Sequence, residues 1–124
     1  MEFERDRTYV TGRLKSFKFA LLGAWKLLST EHSIMTQFGI GVLMAGAGFA
    51  FDISAQEWLF QVFAIGLVMS VEGLNTAVEK LCDFVHPQFE PKIGFIKDIA
   101  AGAVCFAAFT AIIIGAIIYV PKIF

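Results

Sequence analysis

Glu72, Asn75, Glu79 and Asp83 follow one another at spacings of three and four residues. At about 100 degrees per residue they fall near 0, -60, -20 and +20 degrees, so three carboxylates and an amide share one narrow stripe of a helix. Carboxylates grouped without cysteine, and with only His32 and His86 nearby, suit a hard cation such as magnesium. Such an ion takes oxygen ligands and commonly bridges protein carboxylates to substrate phosphates. Two further charged sets lie at comparable positions: Glu31, just ahead of one uncharged stretch, and the pair Lys97-Asp98, which opens another. Lys97 supplies a point charge for phosphates. Metal, lysine and one additional carboxylate make a phosphoryl-transfer set, the carboxylate taking the proton of an attacking hydroxyl. Each residue also has a plain structural reading: Glu31 as a helix cap, Asp98 as a complement to a helix dipole, Asp83 as the solvated end of a span. Their convergence on one level favours chemistry.

The elements that position these residues are helices in a membrane. A chain of 124 residues makes one domain. Its apolar fraction of 57% and charged fraction of 17%, against roughly 25% charged in an ordinary soluble domain, leave too little polar surface for a small globule. Residues 33–51 form 19 positions without a charge, 58–71 form 14, and 99–121 form 23. The first and last match the ~20 residues that cross a bilayer, and the middle one reaches full length by continuing through the acidic stripe to the break at His86-Pro87. Three transmembrane helices are therefore expected, over 33–51, 56–85 and 97–120. Ahead of them Leu14, Phe17, Leu21, Trp25 and Leu28 form one apolar stripe, which predicts an amphipathic helix over about 13–30 lying on the membrane surface. The long polar lead argues against a cleaved secretory signal. From Glu57, at ~1.5 Å per residue, Glu72 lies roughly 22 Å into a ~30 Å core and Glu79 roughly 33 Å in, so Glu72 is an intramembrane carboxylate.

Orientation follows from lysine and arginine. Residues 1–32 hold six (Arg5, Arg7, Arg13, Lys15, Lys18, Lys26) and 80–97 hold three (Lys80, Lys92, Lys97), whereas 52–57 hold none and the tail only Lys122. The N-terminus and the second connection are thus expected on the cytoplasmic side. Ala103, Ala107, Ala111 and Gly115 form a small-residue ladder for close helix packing. No GxxxxGK[ST] loop occurs, so a nucleotide site here is not of the Walker type. Cys82 and Cys105 fit neither a disulfide framework nor a paired-cysteine metal site. The net charge of -1 provides no basic field for nucleic acid.

The run Glu72-Gly73-Leu74-Asn75-Thr76-Ala77-Val78-Glu79-Lys80-Leu81-Cys82-Asp83 resembles the E-x-L-N-[ST]-A-[IV]-E-x-x-x-D signature of the prokaryotic diacylglycerol kinase and undecaprenol kinase family. The resemblance takes in Thr30-Glu31, and Lys97-Asp98 followed by Ala100-Ala101-Gly102-Ala103-Val104, and covers the chain from about Lys15 onward. It implies an all-α membrane protein, a homotrimer of three-span subunits each with an N-terminal surface helix. It further implies sites between subunits that pass the terminal phosphate of magnesium ATP to a lipid alcohol. By position, Glu31 and Glu79 match the family's metal-binding glutamates, Glu72 its proposed base, and Asn75 and Asp83 further polar active-site residues on the nucleotide side. Lys97 matches its phosphate-binding lysine and Asp98 a neighbouring nucleotide-site acid. The family's N-terminal arginine has Arg13 as its nearest counterpart, shifted in register relative to Lys15-Ser16-Phe17. The run from Lys97 to Cys105 looks more like the undecaprenol branch than the diacylglycerol branch.

Two other classes compete. Membrane carboxylates at helical spacing also build proton or cation conduits, but a conduit needs polar groups over the full depth, and the outer half of the second span offers only Gln61 and the third span only Thr110. A non-catalytic scaffold held by the alanine ladder leaves Glu72 and Lys97 without a role.

Overall fold

The structure, a computed structural model, describes residues 9–124. Arg5 and Arg7, counted above for orientation, lie outside the described residues. Four helices follow in order: α1 (Tyr9–Thr30), α2 (His32–Ala50), α3 (Ala55–Val85) and α4 (Pro91–Ile123). Of these, α2, α3 and α4 are long and apolar enough to cross a membrane. The chain is an all-α membrane protein.

Each helix end has a local cause. Glu31 takes an extended conformation between α1 and α2, at the N-cap of α2. After α2, Asp52 adopts a left-handed conformation (φ 50), which aspartate tolerates better than bulky residues do. Ser54 then starts α3 with a capping box: its hydroxyl accepts from Glu57 N (3.1 Å), and Glu57 accepts from Ser54 N (2.9 Å). The close turn also needs Gly48, where a Cβ would fall 2.7 Å from the Trp58 ring. Glu90 caps α4 by accepting from Lys92 N (2.6 Å) and Ile93 N (3.3 Å), and Pro91 occupies a first-turn position where its missing N–H costs nothing.

Consequently α4 starts six residues before Lys97. Lys97 and Asp98 sit nearly two turns inside the helix, beyond reach of the N-terminal amides that a helix starting at Lys97 would have offered to phosphate. At 1.5 Å per residue α3 is about 46 Å long, so its acidic last turns project past a ~30 Å core.

The spans run antiparallel, with α3 and α4 sharing the broadest contact, α2 lying on α3, and α1 on α2. The core is concentrated at the end formed by the α2–α3 turn and the C-terminus, where Ile53, Ile118 and Tyr119 pack with Met44, Ala47, Trp58 and Ile114. There Gln61 Nε2 donates to the Met44 carbonyl (3.0 Å), the Tyr119 hydroxyl donates to Gln61 Oε1, and Lys122 pairs with Glu57 (2.8 Å). These bonds tie α2, α3 and α4 together. Large apolar side chains such as Leu43, Phe63, Phe106 and Ile112 remain exposed along the spans, as lipid-facing positions do. On α1, Leu14, Phe17, Leu21 and Trp25 are exposed, and the helix meets α3 instead through Leu27, which packs against Gly73. That leaves the apolar stripe of α1 free for a membrane surface.

Candidate active site at the charged end of the bundle

Antiparallel packing brings the start of α2, the end of α3 and the first turns of α4 to one end, and with them most of the residues singled out above. Asp83 on α3 accepts from Lys97 Nζ on α4 at 2.6 Å. Glu31 accepts from Lys80 Nζ on α3 at 2.9 Å. Within α3, Asn75 Nδ2 donates to Glu79 Oε1 at 3.1 Å, one turn along the stripe.

Glu31 stands at the N-cap of α2, yet its side chain makes no capping bond. The carboxylate turns to Lys80 on α3 instead, which removes the plain helix-cap explanation. Glu72 is half-buried and makes no hydrogen bond or ion pair among the described residues. A carboxylate in such a place is costly unless it has work there. Asn75 carries the second anomaly: its Oδ1 is buried and has no hydrogen-bond partner. A buried amide oxygen left unsatisfied costs free energy that a bound donor or cation restores.

The donor set consists of carboxylate and amide oxygens, which suits a small hard cation. No group of three or more His, Cys, Asp or Glu among the described residues could hold a metal ion. A magnesium-like ion nonetheless fits, because it binds through one or two protein carboxylates and completes its shell with water and substrate phosphates. The orphaned Asn75 oxygen beside Glu79 lies within the same set. Asp98 is exposed and Arg13 stacks on the Tyr9 ring (5.1 Å), neither of them paired with the residues above. Cys82 is buried and Cys105 exposed, both as free thiols.

Sequence reasoning counted Lys80 only as a positive charge for orientation. Its partner Glu31 lies 49 positions away in sequence (80 minus 31), so only the tertiary packing reveals the pair.

An all-helical, three-span membrane protein with oxygen ligands and a lysine gathered at one end has the makings of a membrane phosphotransferase. The sequence profile described as prokaryotic diacylglycerol kinase matches residues 18–119, and the chain belongs to that family. It is similar to the undecaprenol kinase of Bacillus subtilis (strain 168), with 33% identity over 123 residues that cover 99% of this chain and 100% of that protein. It is also similar to the diacylglycerol kinase of Synechocystis sp. (strain ATCC 27184 / PCC 6803 / Kazusa), 32% identical over 111 residues covering 89% of this chain and 63% of the relative. The diacylglycerol kinase of Escherichia coli (strain K12) is 30% identical over 94 residues, 73% of this chain and 77% of the relative. The chain is an ATP-dependent lipid kinase of the membrane, with ATP as co-substrate.

Proposed function

We propose that the protein transfers the γ-phosphate of magnesium ATP to the hydroxyl of a membrane lipid alcohol, undecaprenol in preference to diacylglycerol, at sites between subunits of a homotrimer. The charged end faces the cytoplasm, where ATP is available, and the membrane is the bacterial inner membrane. The observation that carries the chemistry is the unpaired, half-buried Glu72, set on the same helix stripe as Asn75, Glu79 and Asp83. Undecaprenol is preferred because the full-length relative from Bacillus subtilis is named an undecaprenol kinase and because of the run from Lys97 to Cys105.

In this reading Lys97 leaves Asp83 and donates to phosphate oxygens, while Asp98, Asn75 and Asp83 border the nucleotide. Glu31 and Glu79 would hold magnesium, which when bound would neutralise charge on the phosphate oxygens. Glu72 lies about 10 Å, or two turns, closer to the bilayer centre than Glu79, on the side from which a lipid hydroxyl approaches. The hydroxyl oxygen forms its bond to the γ-phosphorus as the bond to the ADP oxygen breaks, and the hydroxyl proton passes to the Glu72 carboxylate. The conduit alternative loses support from the other half of the bundle. Gln61 is occupied by Met44 and Tyr119, and Thr110 back-bonds to the Phe106 carbonyl (2.8 Å), so these groups are satisfied internally. Incubating the purified protein with labelled ATP, magnesium, undecaprenol and diacylglycerol tests the proposal. Label is expected in the lipid phase, faster with undecaprenol, and faster transfer to diacylglycerol would reverse the substrate assignment.

A further inference from the structure

The pair between Lys80 and Glu31 has properties that a plain structural bridge does not need. Glu31 is held in, with its side chain 21% exposed, whereas the lysine reaching it is 67% exposed. The ammonium is therefore the partner able to leave: it swings into solvent at little cost, on a flexible four-carbon stem. It occupies Oε1 of a carboxylate that forgoes its own helix cap. It also belongs to the residue following Glu79, and the Glu79 and Asp83 charges act on it as well. A divalent cation at Glu31 competes for the same carboxylate and is repelled by an ammonium beside it.

We infer that Lys80 is the resident counter-ion of Glu31, a positioning residue that holds the α1–α2 junction on α3 in the ligand-free chain and is displaced when a divalent cation binds. This rests on the metal reading under Proposed function. Because the ammonium is largely exposed, the competition is modest, a factor of about three to five. A purely structural bridge predicts the opposite sign, since breaking it would loosen Glu31 and weaken cation binding.

The test uses the full chain in detergent micelles without nucleotide, with Mn2+ as the probe and free Mn2+ counted by electron paramagnetic resonance. Lys80→Met and Lys80→Gln are expected to bind Mn2+ about three- to fivefold more tightly than wild type, and Lys80→Arg, which keeps the charge, to stay within about twofold of it. Adding Glu31→Gln to Lys80→Met should erase the gain. Equal or weaker binding in both neutral variants, or no binding in any protein, overturns the inference. If Glu31→Gln weakens Mn2+ binding while the neutral Lys80 variants match wild type, the counter-ion role falls and the metal reading stands. If Glu31→Gln leaves Mn2+ binding unchanged, both fall.

Discussion

Replacing Lys97 by Met separates a phosphate ligand from a mere membrane anchor. In the structure Lys97 Nζ pairs with Asp83 at 2.6 Å, with the lysine side chain 36% and the aspartate 63% exposed. A charge-assisted hydrogen bond to a bound phosphate, once removed, weakens binding about ten- to a hundredfold. Binding ATP first requires release of Asp83, and an exposed pair of that kind offsets a factor of about two to five. The net expectation is a rise of roughly two- to fiftyfold in the KM for ATP, with the KM for lipid changed by less than about twofold. The fold should hold, because the abandoned Asp83 carboxylate is exposed enough to be rehydrated. Steady-state kinetics with each substrate varied in turn, on protein whose helical circular dichroism matches wild type, measures both constants. An unchanged KM for ATP with unchanged turnover would refute the reasoning and leave Lys97 as a positive-inside anchor.

Glu31→Gln and Glu79→Gln should each abolish turnover at ordinary magnesium while the proposed trimer, read by crosslinking, is retained; full activity in either removes that residue from the proposed metal site. In intact cells an impermeant thiol reagent should label a cysteine placed at Ser54 and spare one placed at Gln88, and the reverse pattern inverts the topology. Tyr119→Phe strips the buried hydroxyl from Gln61 Oε1 and should lower stability by about 1–2 kcal/mol, read from thermal unfolding, with lipid phosphorylation retained because the change lies at the end opposite Glu72.

The stripe from Glu72 to Asp83 was legible in the sequence because helical periodicity alone puts those residues on one face, and the spans were legible because a bilayer demands long uncharged runs. The start of α4 was less so. The third span was expected from residue 97, but Pro91 is tolerated in a helix's first turn and Glu90 supplies the cap, so the helix begins at Pro91 and carries Lys97 away from its N-terminal amides. The pairs Glu31–Lys80, Asp83–Lys97 and Tyr119–Gln61 join different helices, and no local pattern states which residues meet across a bundle. The same is true of the orphaned Asn75 oxygen, which exists only because α3 is packed as it is.

Glu72 is proposed to take the proton from a lipid hydroxyl as phosphate arrives. Single-turnover transfer of labelled phosphate to undecaprenol by Glu72→Gln, at saturating magnesium ATP, tests it most directly, because glutamine keeps the shape and hydrogen bonding of the side chain and deletes its basicity. If Glu72 is the base, the transfer rate falls about a hundredfold or more, with affinities for ATP and lipid near those of wild type. A near-normal rate with a raised requirement for either substrate would contradict it and make Glu72 a positioning group.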